Sequence, residues 1–217
     1  MDTHRYLQDY LFDQALREHG IDCDFSTDHQ NGRHKIGNLE FGVKFPRRYV
    51  DSIDKLDRTK KHEYSFIGYI PEDDGRKRLL QPYQKPNNVI KFSRYGRNRA
   101  TKFTYEDSYY QIFCQSRYVL CPNHIGPWYI HENAWTYRMI ESCFCRAIPI
   151  VFRETATGPN FHRDIFFFWN DQDHHIGDYQ SIVEKNFIKA MEYWTITDDE
   201  IKNIHRELIN MSQRKSS

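Results

Sequence analysis

Two absences narrow the function of this sequence before any motif is considered: it has little net charge and no long apolar run. The 217 residues carry 31 Lys and Arg against 30 Asp and Glu, so overall charge gives no reason to expect nucleic acid or another unspecific polyanion as a partner. No apolar stretch has the length of a membrane span or the character of a secretory signal. We therefore expect no membrane span, no nucleic-acid partner and, by default, a cytoplasmic location.

The cysteine spacing of a disulfide framework or a metal site is also missing. The five cysteines are an odd number, and Cys143-Phe144-Cys145 is not the CxxC pair of a redox motif. No flanking Cys or His completes a zinc site, and the adjacent His174 and His175 point apart on most backbones. We therefore expect no metal and reduced thiols. Four of these thiols fall in predicted core segments: Cys114, Cys121, Cys143 and Cys145.

Segments typical of buried strands alternate with helical segments over most of the chain. Strands are predicted at 64–70, 88–92, 117–121, 147–152 and 165–169, and helices at 75–82, 104–115 and 132–145. Alternation of this kind predicts an α/β fold, a Rossmann-like parallel sheet with helices on both faces.

The remaining segments flank this unit. Residues 1–62 are predicted to form a short N-terminal α+β segment with helices over 4–18 and 47–56 and strands at 21–25 and 39–45. Two C-terminal helices, over 178–194 and 197–213, close the chain, and Thr197-Asp198-Asp199-Glu200 is a capping-box pattern. We therefore divide the chain into the N-terminal segment, 1–62, and a Rossmann-like domain, 63–217.

A charged pair lies on the helix predicted between two buried strands. Arg138 and Glu141 are one turn apart near a single face of this helix. Burying such charges is costly unless each has a partner. From spacing alone, the pair is either a structural ion pair, two charges on a solvated face, or part of a site.

Several motifs in this region resemble one family. Leu120-Cys121-Pro122, Thr136-Tyr137-Arg138-x-x-Glu141 and Ala147-Ile148-Pro149-Ile150 are similar to the nucleotide-sugar-binding half of exostosin-family glycosyltransferases. The family pattern is Leu-x-Pro-Arg-Gly, then Ser-x-Arg-x-x-Glu, then Gly-x-Ile-Pro-Val. In this chain Asn123 replaces the basic loop residue, Thr136 the serine and Arg146 the small glycine.

An upstream segment resembles the same family. Tyr64-Ser65-Phe66-Ile67-Gly68 and Gly75-Arg76-Lys77-Arg78-Leu79-Leu80 are similar to the family's Phe-x-Gly strand end and Arg-rich helix start. The resemblance covers roughly residues 63–170. It implies the donor domain of a GT-B-type enzyme, with helix-end amides and guanidinium groups that bind a diphosphate.

The resemblance also implies roles for individual residues. Arg138, Arg76 and Arg78 are the candidates for the diphosphate, and Glu141 is expected to accept hydrogen bonds from ribose hydroxyls. The complete set of predicted donor-binding residues is Gly68, Arg76, Arg78, Asn123, His124, Gly126, Thr136, Arg138 and Glu141.

Residues 125–135 form an insertion rich in aromatic and polar side chains. Trp128, Tyr129 and Trp135 are of the type that stacks on sugar faces, although a loop packed against the sheet edge has the same composition. His131 and Glu132 are candidates for the base that takes the acceptor's proton. The alternatives are Asp28 and His29 in the N-terminal segment.

These motifs predict a glycosyltransferase that uses a nucleotide diphosphate sugar, with UDP favoured, and a glycan or glycoconjugate acceptor. The family resemblance implies an inverting reaction without metal or other cofactor. A GDP-sugar-dependent fucosyltransferase-like enzyme and a non-catalytic carbohydrate- or nucleotide-binding module are the alternatives. The chain has room for one Rossmann-like domain, so the acceptor side is a reduced N-terminal segment, lies on another chain or was lost. A separate acceptor domain and a homo-oligomer are the alternatives for further partners.

Overall fold

The computed structural model describes residues 7–28, 31–70, 75–93, 107–123, 136–155 and 164–215. The helices are α1 (Leu7–Glu18), α2 (Arg47–Asp54), α3 (Arg76–Leu80), α4 (Asp107–Cys114), α5 (Tyr137–Phe144), α6 (Tyr179–Trp194) and α7 (Asp198–Lys215). The strands are β1 (Phe25–Asp28), β2 (Arg33–Ile36), β3 (Leu39–Gly42), β4 (Phe45–Pro46), β5 (His62–Tyr69), β6 (Val89–Ser93), β7 (Ser116–Cys121), β8 (Ile148–Val151), β9 (Phe168–Trp169) and β10 (Thr195–Ile196).

A parallel sheet forms the centre of the molecule. Its strand order is β6-β5-β7-β8-β9, and every neighbouring pair is parallel. The predicted α/β fold with a parallel sheet and flanking helices is therefore confirmed. The chain adds β6 on one side of β5 and β7 on the other, which makes the β5/β7 boundary a topological switch point. Ligands of open α/β sheets bind outside the carboxyl ends of the strands at such a point.

Alternating side chains of the strands divide the core between the two faces of the sheet. Phe66 and Leu120 belong to one buried cluster, whereas Val119 and Cys121 pack with α4 and α5 in another. Helix α6 passes from one cluster to the other, with Val183 in the first and Trp194 in the second. It crosses the amino edge of the sheet.

The N-terminal layer contains an antiparallel sheet of order β1-β2-β3. The predicted strands at 21–25 and 39–45 are wrong in their bounds, and β2 was not predicted. The reason is that these strands are short and mix polar with apolar residues, so no apolar run marks them. The turn signal is more informative, because Gly37 opens the two-residue connection between β2 and β3 with φ 55°.

Strand β9 is shorter than the predicted strand at 165–169. The backbone of Phe166 is bonded instead to a side chain of α6: its N–H donates to Oδ1 of Asn186 at 2.8 Å, and its carbonyl accepts from Nδ2 at 2.7 Å. Asn186 is 1% exposed. A buried amide therefore takes the place of a strand neighbour at this position.

Most helix predictions hold with small changes of length, but the helix predicted at 132–145 is wrong in its start, because Thr136 is extended and α5 begins at Tyr137. The predicted helix at 75–82 is α3 followed by a 3-10 turn (Gln81–Tyr83), and α2 ends two residues before the predicted Leu56. The capping box is confirmed, because the Thr197 N–H donates to Glu200 Oε2 at 2.7 Å and the Glu200 N–H donates to Thr197 Oγ1 at 3.3 Å.

Candidate functional site

Helix α5 begins at the carboxyl edge of the sheet because Thr136 caps it. The backbone of Thr136 is extended, and its hydroxyl accepts a hydrogen bond from the Met139 N–H at 3.1 Å. This contact satisfies one of the free N–H groups of the first turn. The role found for this predicted donor-binding residue is thus to fix where α5 starts, and hence where Arg138 lies.

The Arg138 guanidinium lies at the carboxyl end of β5. Its Nη2 donates to the carbonyl of Ile67 at 3.2 Å, and its Cζ lies 4.4 Å from the ring centroid of Phe66. Strand β7 lies beside β5 in parallel, with Ser65 opposite Val119, so the two strands end side by side at this edge. Burial raises the pKa of the Cys121 thiol at the end of β7, and the charge of Arg138 opposes that rise. Arg138 therefore occupies the switch point between β5 and β7.

This cation has no counter-charge in the described part of the chain. None of the described carboxylates forms an ion pair with it, and its buried Nε has no hydrogen-bond partner there. The structural ion pair with Glu141, one alternative from the sequence, is not found among these residues. A guanidinium with unused donors at a switch point is suited to a carboxylate or phosphate ligand.

Glu141, one turn further along α5, lies in a different environment. It is 1% exposed and accepts hydrogen bonds from Gln8 Nε2 at 2.6 Å, from the Tyr109 hydroxyl at 2.8 Å and from the Tyr110 hydroxyl at 2.9 Å. These internal donors hold α5 to α1 and α4. The role predicted for Glu141 toward a ribose stays a prediction, and a ribose hydroxyl would have to replace one of these donors.

Asn123 connects the ends of two neighbouring strands. Its backbone N–H donates to Thr155 Oγ1 at 3.0 Å, and its Nδ2 donates to the Thr155 carbonyl at 3.1 Å. Thr155 lies in the 3-10 turn that follows β8 (Arg153–Thr155). Asn123 is 3% exposed, so its described contacts join β7 to β8 at the carboxyl edge, and donor binding by this residue stays a prediction.

The other predicted residues of the site differ in how far the structure describes them. Arg76 is buried and Arg78 is exposed at the start of α3. Asp28 is exposed, and its carboxylate accepts from the Asn31 N–H at 3.1 Å and from Asn31 Nδ2 at 2.7 Å. The predictions for the remaining residues lie outside the described part of the chain: His29, His124, Gly126, Trp128, Tyr129, His131, Glu132 and Trp135.

Sequence reasoning missed a buried polar connection between α1 and α5. Asp9 is 2% exposed and accepts from the Thr27 hydroxyl at 2.9 Å and from the Tyr137 hydroxyl at 2.5 Å. Gln8, also 2% exposed, is the donor to Glu141. The one signal in the sequence is that both polar residues precede Leu11 and Phe12 by helical spacing, on the face that is buried.

The same connection reaches His34 in β2. His34 Nδ1 lies 3.1 Å from Thr27 Oγ1, and Nε2 lies 3.2 Å from the Lys44 carbonyl. Thr27 and His34 thus extend the connection from Asp9 in α1 to the main chain at Lys44.

The amino edge of the sheet contains a second, fully bonded cation. Lys60 Nζ donates to the carbonyls of Cys114 at 2.8 Å, Ser116 at 2.9 Å and Arg146 at 2.8 Å. All three ammonium protons therefore have acceptors. Burial nevertheless lowers the pKa of Lys60 to about 8, with the nearby thiols of Cys145 and Cys114 opposing the shift.

Arg146, at the end of α5, occupies the position where the family pattern has glycine. Its φ is 50°, in the left-handed region that favours glycine. The guanidinium pairs with Asp54 and, at 2.7 Å, with Glu184, and its Cζ lies 3.7 Å from the ring centroid of Phe187. These contacts compensate for the backbone conformation and bind α6 to the amino edge.

The cysteines and His174 make their described contacts within the fold. All five cysteines are free; Cys23 is exposed and the other four are buried. His174 Nδ1 lies 3.0 Å from the Tyr64 hydroxyl and Nε2 lies 3.0 Å from the Trp169 carbonyl, so the ring is bonded within the fold. In the described ranges, no group of three or more His, Cys, Asp or Glu side chains could hold a metal ion. None of the described helices is long and apolar enough to cross a membrane.

Comparison with known proteins adds no family assignment. No protein-family model matches the chain, and no curated protein matches it.

Proposed function

We propose that this chain binds a nucleotide diphosphate sugar at the carboxyl edge of its sheet and transfers the sugar to a glycan or glycoconjugate acceptor. The observation that carries the proposal is the Arg138 guanidinium, which lies at the β5/β7 switch point without a carboxylate partner in the described chain. The motif resemblance to exostosin-family enzymes supports a GT-B-type donor domain, and UDP as the favoured nucleotide.

The chemistry of transfer explains why such a cation is needed. Negative charge grows on the diphosphate as the bond to the sugar breaks, and a fixed cation stabilises that charge more in the transition state than in the bound donor. The amino end of α5 adds the positive end of its dipole. Arg138 would thus bind the leaving group, with Arg76 and Arg78 as further candidates.

Deprotonation of the acceptor is the second requirement of an inverting transfer. We assign it to His131 or Glu132, with Asp28 and His29 as alternatives. Asp28 belongs to the described residues, and both oxygens of its carboxylate accept from Asn31. This engagement favours a second candidate, a binding module without turnover, if the residues of the insertion supply no base.

A binding experiment tests the donor site. UDP, GDP and their sugar conjugates are titrated by calorimetry and thermal shift, with and without manganese. At ligand a hundredfold above Kd, the ligand should stabilise the fold by about 2.7 kcal/mol. Arg138→Ala should remove this effect. Arg117→Ala is the matched control, because Arg117 also lies over a ring, that of Tyr179 at 4.6 Å, but at the start of β7.

The outcomes separate the candidates. If no nucleotide shifts the melting temperature, either with or without manganese, the donor-site proposal is wrong. If nucleotides bind but neither donor hydrolysis nor transfer to glycan acceptors occurs, the non-catalytic module is the better account. A GDP preference over UDP would favour the fucosyltransferase-like alternative.

A further inference from the structure

We propose that Gly68 is the positioning residue for Arg138, and that the missing side chain at this position allows the guanidinium to lie in the β5/β7 crevice. The inference deepens the proposed function and rests on it only where it names the diphosphate as the anion that Arg138 binds.

Space, rather than backbone conformation, explains the glycine. A Cβ atom at Gly68 would lie 2.5 Å from Nη2 of Arg138 and 3.2 Å from Cζ of Phe66. The φ of Gly68 is not positive, unlike that of Gly20, Gly32 and Gly37. Any residue can therefore adopt the backbone of Gly68, but no residue with a side chain leaves the guanidinium where it is.

A glycine at the end of β5 also lowers the stability of the strand, so its presence there needs an explanation. Glycine weakens strands because it loses more backbone entropy on folding and contributes no side chain to packing. Alanine would remove that cost without backbone strain. Its nearest approach is to the far end of the flexible Arg138 side chain, and the Phe66 ring has to move by only a few tenths of an ångström, so we expect the fold to survive and the guanidinium to move.

The position of the guanidinium determines what it offers to a ligand. One face lies on the Phe66 ring, and Nη2 gives one proton to the Ile67 carbonyl. In the described chain the guanidinium makes no other hydrogen bond. A displaced guanidinium loses both contacts and no longer has one orientation toward an anion at the strand ends, which reduces bidentate binding of phosphate.

A double-mutant cycle between positions 68 and 138 tests the inference. In R138K the lysine side chain is one atom shorter than arginine, so its Nζ would lie near the present position of Arg138 Cζ. That position is 3.6 Å from where the methyl group of an alanine at 68 would be, which is an ordinary contact distance. Gly68→Ala should weaken UDP and pyrophosphate binding about tenfold to a hundredfold in the Arg138 background, and by less than about threefold in the R138K background. Gly42→Ala is the matched control, since Gly42 also lies in a strand and a Cβ there would contact nothing within 4 Å.

A ligand-free measurement separates this inference from the proposed function. The same four proteins are melted without ligand: because the 3.2 Å approach to Phe66 is common to both backgrounds, Gly68→Ala should lower the melting temperature further beside Arg138 than in the R138K background. If wild type binds neither UDP nor pyrophosphate, the proposed function is wrong while the melting cycle still decides the role of Gly68.

Two results would overturn the inference. The first is an equal effect of Gly68→Ala in both backgrounds, in binding or in melting. The second concerns folding: if Gly68→Ala alone does not fold, the combination with R138K should fold because the 2.5 Å approach to Nη2 is absent there, and failure of both would assign the clash to Phe66 rather than to Arg138.

Discussion

The cations at the two edges of the parallel sheet differ in how fully they are bonded within the described chain. At the amino edge, Lys60 donates all its protons to main-chain carbonyls, and Arg146 pairs with Asp54 and Glu184. At the carboxyl edge, Arg138 has one carbonyl partner and a buried Nε without any in the described chain. The difference separates cations that hold the fold together from one that is available to a ligand.

The contrast predicts a ranking of stability effects, and Lys60→Met should have the largest. It leaves the Cys114, Ser116 and Arg146 carbonyls without their ammonium donor, so we expect the free energy of unfolding to fall by about 3–5 kcal/mol. Urea denaturation measures this, and Lys61→Met, an exposed neighbour, should change it by less than about 0.5 kcal/mol. If Lys60→Met lowered the unfolding free energy no more than Lys61→Met does, Lys60 would not be a structural cation of the amino edge.

The pH dependence of stability should show the next largest effect. Because burial lowers the pKa of Lys60 to about 8 from 10.5, the unfolded state binds more protons than the folded state between these values. The stability of wild type relative to Lys60→Met should therefore rise between pH 8 and 10.5, by at most about 3 kcal/mol. Paired urea titrations across this range measure it, and a flat or falling difference would show that the carbonyls keep Lys60 charged.

Arg146 should show an intermediate effect that depends on the replacement. Arg146→Ala removes the contacts to Glu184 and Phe187 while keeping a Cβ at φ 50°, and we expect a loss of about 2 kcal/mol. Arg146→Gly removes the same contacts but relaxes the backbone, so its loss should be about 1 kcal/mol smaller. The two variants are compared by urea denaturation, and equal losses would mean that the left-handed conformation is without cost.

Arg138→Met should have the smallest effect on stability. It removes one hydrogen bond and the contact with Phe66 and leaves no carboxylate unpaired in the described chain, so the change in unfolding free energy should be below about 1 kcal/mol. Urea denaturation checks this. A loss as large as that of Lys60→Met would place Arg138 among the structural cations and weaken the donor-site proposal.

The sequence predicted those elements whose local pattern and packing agree. Strand β7 and strand β8 are uninterrupted apolar runs, and α5 between them has helical periodicity, so the central sheet followed from alternation. The helix that carries Arg138 was also predicted, although with its start at 132 rather than at Tyr137. The contact of Arg138 with the Ile67 carbonyl was not, because it joins residues 71 positions apart and depends on which strands are neighbours.

Buried polar residues mark the limit of sequence reasoning in this chain. Gln8, Asp9 and His34 have the composition of a solvated surface, yet they are 2%, 2% and 0% exposed. Gln8 and Asp9 have hydrogen-bond partners in the distant α5, and His34 has partners in the N-terminal layer, at Thr27 and Lys44. The interpretation of Glu141 suffered from the same limitation, since nothing in its neighbourhood of the sequence indicated donors from α1 and α4.

The bonds between α1 and α5 have a consequence for the order of events during synthesis. Gln8 is separated from Glu141 by 133 residues and Asp9 from Tyr137 by 128. A ribosome therefore makes α1 long before these two partners exist, whereas the contacts of α1 with Thr27 and Ile36 join segments that are made soon after it. Long sequence separation delays contacts, so we expect α1 to pack first on the N-terminal sheet and its bonds to α5 to form late.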